Sequence, residues 1–194
     1  MDNISKRIGA YLPHWSKDGS IYFVTFRLID SLPKKVISEL ATQRGDMLDG
    51  SEPFDLKAIQ RLDKLLDKGF GPDWLKNPDI ARLIVSAIRH FDGERYELHA
   101  YCVMPNHVHV VLKPQNGVEL AGIIRSMKNF PARRANHILG REGAFWSREY
   151  FDRLIRTSKE HTKSIEYVWF NPESAGIENS PWKWRLGESH PVEK

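Results

Sequence analysis

Two histidines separated by one valine, His107 and His109, stand in the stretch MPNHVHVV at residues 104–111. In an extended chain, residues two apart point to the same face, so the two imidazoles project together and Val108 and Val110 project to the other side. Side-by-side imidazoles can share one metal ion, each through a ring nitrogen. They can equally be two polar residues on the open face of a sheet, and the pair alone does not decide. A second set lies in KSIEYVWFNP. Lys163, Tyr167 and Asn171 recur every four residues and would share one helix face. A tyrosine hydroxyl can act as a nucleophile when a metal or a cation polarises its target. The Asn171 carbonyl oxygen could complete a metal site, and Lys163 could stabilise a phenolate or a phosphate. Aromatic residues on helices also serve as packing, and Tyr167 read alone is open to that reading.

These residues need elements to hold them. Residues 20–30, SIYFVTFRLID, are rich in aromatic and β-branched residues and predict a strand. Residues 95–104 and 107–113 alternate, and the Pro105-Asn106 turn between them predicts an antiparallel hairpin. Residues 32–50 predict a helix followed by a loop. Residues 55–68 place Leu56, Leu62, Leu65 and Leu66 at helical spacing among many charges, which predicts an exposed amphipathic helix. Asn77-Pro78 begins another helix, with Ile80, Leu83, Ile84, Ala87 and Ile88 on one side. Residues 118–130 are helical, Pro131 breaks or kinks that helix, and 131–140 resume it. Residues 144–156 read as extended. Thr157 and Glu160 form a capping box for a helix from Ser158 to about Phe170, stopped by Asn171-Pro172. Residues 178–194 read as a polar tail.

The order suggests one α+β domain with a mostly antiparallel sheet. It covers residues 1–180, with a charged helical insertion at about 45–78 and a C-terminal tail at 181–194. The 194 residues suffice for a sizeable core. The single cysteine, Cys102, excludes an intramolecular disulfide and any CxxC metal site, and suits a reducing, cytoplasmic setting. No apolar stretch is long enough to span a membrane, and the first fifteen residues lack the apolar core of a signal peptide. The net charge of +4 permits a nucleic-acid partner without requiring one. Between Arg125 and Lys163 there are ten Lys/Arg against four Asp/Glu. Arg125, Lys128, Arg133, Arg134 and Lys163 are the candidates for contacts to DNA phosphates. Phe130, Phe145 and Trp146 are interleaved with them and could stack on unpaired bases.

Taken together and in order, AYCVMPNHVHVVLKP, SMKNFPARRAN, FWSREYFDRLIR and IEYVWFNPESAGI resemble the REP-associated tyrosine transposases, within the single-tyrosine HUH transposases (the IS200-like superfamily). The resemblance covers roughly residues 20–185. It implies a ferredoxin-like (RRM-like) sheet with helices on one face. It implies that His107 and His109 bind a divalent metal, Mg or Mn, that Asn171 contributes to that site, and that Tyr167 is the nucleophile. Single-stranded DNA with hairpins, such as palindromic repeats, is then the substrate, cut through a 5′-phosphotyrosine, by a monomer or homodimer. Tyr150 has no asparagine one turn away and reads as structural. Two other readings compete: a catalytically idle hairpin-binding protein derived from a transposase, and an unrelated metal hydrolase using an activated water. The second lacks a cluster of carboxylates near the histidines in the sequence.

Overall fold

The computed structural model describes residues 5–8, 13–33, 35–38 and 56–189. Of the helix and loop expected over 32–50, residues 35–38 are helical and 39–50 lie outside the described residues, as do 45–55 of the insertion. The strands are β1 (Ser5–Ile8), β2 (Pro13–Ser16), β3 (Ile21–Leu28), β4 (Tyr96–Val103), β5 (His107–Pro114), β6 (Trp146–Ile155) and β7 (Lys183–Arg185). The helices are α1 (Leu56–Leu66), α2 (Pro78–Arg89), α3 (Leu120–Ile138) and α4 (Ser158–Ser174), with a 3-10 turn at Trp74–Lys76.

β1 and β2 form a separate ribbon. The other five strands make one antiparallel sheet in the order β6-β3-β5-β4-β7. Without β7 this is the β-α-β-β-α-β arrangement of a ferredoxin-like domain, as expected. β3 and β5 are central, which is why IYFVTFRL and HVHVV are apolar on one face and carry the histidines on the other. Tyr22, Val24, Phe26 and Leu28 meet Val108, Val110 and Leu112 in the main core, against Ile80, Ile84 and Ile88 of α2 and Ile123, Ile124 and Met127 of α3. Asn77 caps α2 through its side-chain oxygen, which accepts from the Asp79 amide at 2.9 Å, and Pro78 occupies the first turn. α3 runs through Pro131 as one helix.

The expectation of helices on one face describes α2 and α3 only. The other face is not open, because α4 and α1 cover it. Val168 of α4 and Ile59 of α1 pack with Phe23, Ala100, Cys102 and Val111. One bulge makes this possible: the β4–β5 register shifts between Leu98 and Ala100, leaving His99 as the extra residue. Before the bulge Leu98 faces the main core, and after it Ala100 and Cys102 face α4. Small residues there let the helix approach closely.

α4 also runs further than expected. Thr157 caps it as predicted, accepting from the Glu160 amide at 3.1 Å. Pro172 lies inside the last turn, where a missing N–H costs only one helical bond. The helix ends at Ser174, and Gly176, with a φ of 78°, suits the left-handed closing residue beyond it. Finally, the stretch read as a polar tail supplies β7. Its Trp184 is buried against the core, and Ala100, Tyr101 and Cys102 pair with Arg185, Trp184 and Lys183. Among the described residues no helix is long and apolar enough to cross a membrane.

Candidate metal centre and nucleophile

Cross-strand pairing places Thr25 beside His109 and Arg27 beside His107. Both imidazoles are fully buried. His107 Nδ1 lies 2.7 Å from Asn106 Oδ1, an acceptor only, so Nδ1 carries the proton and Nε2 faces the site with a free lone pair. Burial, and then the neighbouring His109, push the His107 pKa down to about 3, so it is neutral at physiological pH as a metal ligand must be. His109 Nδ1 is held by Thr25 Oγ1 at 2.8 Å. The two Nε2 atoms then face one another at 3.1 Å. At that distance the pair needs either a proton on His109 Nε2 or a cation between the two nitrogens.

A carboxylate stands beside them. Asp63, from α1 in the insertion, puts Oδ2 at 3.2 Å from His109 Nε2 and Oδ1 at 4.0 Å from His107 Nε2. Tyr167 Oη donates a short hydrogen bond to Asp63 Oδ2, and Asn171 Nδ2 donates to the same oxygen at 3.2 Å. Burial opposes the charge of Asp63, but His109, His107 and the Tyr167 hydroxyl outweigh it and hold its pKa below the usual carboxylate value. Burial first, and Asp63 second, push the Tyr167 pKa well above the ordinary phenol value, so the hydroxyl rests protonated.

The donor set fits a divalent cation. Asp63, His107 and His109 each offer one ligand atom within 4.8 Å of the others, and all three are buried. Asp63 Oδ1 and Asn171 Oδ1 are buried and accept no hydrogen bond, a costly arrangement unless something electropositive sits there. Two imidazole nitrogens and a carboxylate oxygen, with the Asn171 amide oxygen beside them, are donors that can hold one divalent cation.

The family model described as transposase IS200 like matches residues 74–168, which include both histidines and Tyr167. Two curated relatives are similar to this chain. One, from Haemophilus influenzae and assigned as a REP-associated tyrosine transposase, is 26% identical over 49% of this chain and 60% of its own length. The REP-associated tyrosine transposase of Escherichia coli is 22% identical over 49% of this chain and 55% of its own length. The chain thus spans less than two thirds of either relative. Among solved structures, a REP-associated tyrosine transposase bound to a REP hairpin superposes with a TM-score of 0.50 at 15% identity, over 89% of this chain and 75% of that one, which shows the shared fold.

The structure brings together His107, His109, Tyr167 and Asn171, as expected. It does not bring Lys163 to them; Lys163 is exposed on α4. Two participants were missed. Asp63 reads as one more charge on an amphipathic helix, and nothing local marks it. Asn106 reads as a turn residue, yet it is 4% exposed, and its amide donates to Leu66 O at 2.8 Å while its oxygen orients His107. It therefore ties α1, which carries Asp63, to the histidine strand. The expected DNA contacts do not form one stripe. Arg125 and Lys128 line a cavity between α3 and β6, whereas Arg133 and Arg134 line a groove between α2 and α3. Lys128 is largely structural: it donates to Ser147 O at 2.8 Å and Arg148 O at 3.1 Å, and burial lowers its pKa to about 8. Of the three aromatics expected to stack on bases, Phe145 and Trp146 are core residues and only Phe130 is exposed.

Proposed function

We propose that this chain is a metal-dependent single-strand DNA endonuclease and strand transferase that cuts near hairpins through a phosphotyrosine on Tyr167. One observation carries the reading: the Tyr167 hydroxyl, the Asn171 amide and both imidazole Nε2 atoms converge on the Asp63 carboxylate in a single buried cluster. His107, His109 and Asp63 would hold the cation, with Asn171 Oδ1 as a further ligand. When bound, the cation supplies Lewis acidity to an oxygen of the scissile phosphate.

The chain's own groups do the rest. The helix cap at Thr157 and the packing of Val168 fix α4, which aims Tyr167 Oη at the cluster. Asn171, one turn later, holds Asp63 in place. Asp63 Oδ2 already accepts the phenol hydrogen and is placed to receive that proton as the oxygen attacks. The tyrosyl O–P bond forms and the P–O3′ bond breaks. The proton ends on the departing 3′-oxygen, giving a free 3′-hydroxyl and a 5′-phosphotyrosine. The phosphodiester bond energy is kept, so a 3′-hydroxyl can reverse the step and join strands without ATP. The hairpin-bound state of the structural relative supports a hairpin as the DNA partner.

The test is a denaturing gel of the protein with end-labelled single-stranded DNA carrying a hairpin, with Mn²⁺ or with EDTA. A slow covalent band in Mn²⁺ only is the expected result. Hairpin binding in a native gel with no covalent band would make the protein an idle hairpin binder. Hydrolysed DNA without a protein adduct would make it a hydrolase.

A further inference from the structure

A second pair of imidazoles meets where the β4 bulge touches the first turns of α4. His99, the extra residue of that bulge, is 4% exposed, and its Nδ1 lies 2.6 Å from His161 Nε2. The rings cross edge to face, with centroids 4.7 Å apart. His161 stands ten residues before Asn171 on the same helix, so about 15 Å of helix axis separates this pair from the Asp63 cluster. His161 is half-buried, so the pair is open to solvent on the helix side.

A ligating imidazole needs a lone pair on the nitrogen that faces the ion, a neutral ring, and an acceptor behind its other nitrogen. His99 has all three. Its second nitrogen, Nε2, is buried without a hydrogen bond, and the Glu97 carboxylate stands 3.6 Å away on that side. With the proton on Nε2 toward Glu97, Nδ1 keeps its lone pair toward His161. Burial first, and then the His161 ring, lower the His99 pKa, and burial lowers that of His161, so both rings are neutral at physiological pH. A tetrahedral ion with Zn–N bonds of about 2.0–2.1 Å needs the two nitrogens about 3.3 Å apart, so the half-buried His161 ring must withdraw by about 0.7 Å. Lys113, opposite Glu97 in the register, opposes a cation held by charge alone. Two nitrogen donors with no direct carboxylate select a borderline ion such as Zn²⁺ over Mg²⁺.

We propose that His99 Nδ1 and His161 Nε2 form a second metal site, which takes a Zn²⁺ ion and has the Glu97 carboxylate as the outer partner of His99. Water fills the remaining positions on the open side. The ion ties the first turns of α4 to the β4 bulge, and α4 is the helix that presents Tyr167 and Asn171. The site shares no residue with the cluster of Asp63, His107 and His109.

Calorimetric titration of the full chain with Zn²⁺, without DNA, counts the sites. The wild type should bind two equivalents. His161→Gln, at a half-buried position and polar like the original, should bind one, whereas His107→Ala should keep the equivalent that His161→Gln loses. In His107→Ala, Zn²⁺ at 100 times the Kd of that equivalent should raise Tm by roughly 5–10 °C. Glu97→Ala, at an exposed position that leaves the fold intact, should weaken one equivalent about 10- to 100-fold, the usual loss when the partner behind a ligating histidine is removed. A single wild-type equivalent that is lost in His107→Ala, a second equivalent that survives His161→Gln, or affinities within twofold of wild type in Glu97→Ala would overturn the proposal and leave the DNA reading standing. No zinc bound at all would overturn this site and the Asp63 metal centre together.

Discussion

Asn106→Ala is expected to damage the metal centre without touching a ligand. The Asn106 oxygen is 2.7 Å from His107 Nδ1, and its amide donates to Leu66 O at 2.8 Å. Leu66 O keeps a second donor, the Gly69 amide at 3.0 Å, so the loss at that end is one ordinary hydrogen bond, about 1 kcal/mol. At the other end the His107 Nδ1–H is left unpaired in a fully buried ring, costing about 1–3 kcal/mol. The sum of about 2–4 kcal/mol is tolerable against a total of about 5–15. At about 2–4 °C per kcal/mol it lowers Tm by roughly 4–16 °C. Losing the partner that orients a ligating histidine typically weakens metal binding about 10- to 100-fold. Titration calorimetry with Mn²⁺ and thermal melting in EDTA measure the two effects separately. Asn106→Asp separates them further. It keeps the acceptor for His107 but loses the donor to Leu66, so Mn²⁺ affinity should stay near wild type while Tm falls. Mn²⁺ affinity within twofold of wild type for Asn106→Ala would refute the claim that this side chain orients His107.

Four further outcomes are expected. Asp63→Ala should weaken Mn²⁺ binding by at least tenfold in calorimetry, because it removes the one charged donor of the buried set. Burial, reinforced by His161 at 2.6 Å, lowers the pKa of His99 from 6.5. The folded form therefore resists a proton that the unfolded chain accepts. That contribution to stability is present above pH 6.5 and is lost as pH falls, so Tm in EDTA should drop below that pH, and drop less in His99→Gln. Gly71→Ala should destabilise the fold by at least about 1 kcal/mol in urea titration, since φ is +72° and a Cβ would meet the Asp30 carbonyl oxygen at 2.3 Å. Affinity for single-stranded DNA should fall with salt, with a slope of about −0.7 per neutralised phosphate.

The parts of the site legible in the sequence are those whose neighbours along the chain carry the signal. His107 and His109 share a strand face because the strand period is two, and Tyr167 and Asn171 share a helix face because the helix repeats near four. Both geometries hold in the structure. Asp63 is different in kind. It is brought to His109 across forty-six positions by the docking of Ile59, Leu62 and Leu66, and no local period encodes that contact. Asn106 was visible, but its turn chemistry hid its bond to α1. β7 was missed because KWR is three residues long and polar at both ends, and only pairing with β4 makes it a strand. The bulge at His99 was equally silent, since a single extra residue in an apolar run leaves no mark until the partner strand is seen. The overreach at Phe145 and Trp146 has the opposite cause: an aromatic near basic residues looks like a stacking platform whether or not a core lies beneath it.

The most direct test of the account is mass spectrometry of peptides from protein incubated with hairpin-bearing single-stranded DNA and Mn²⁺, followed by nuclease digestion. Nucleotide mass is expected on the peptide containing Tyr167, lost in Tyr167→Phe and in EDTA, while Tyr167→Phe still binds the hairpin because the ring and its packing on Phe23 remain. A nucleotide on Tyr150, or an adduct that persists in Tyr167→Phe, would contradict it.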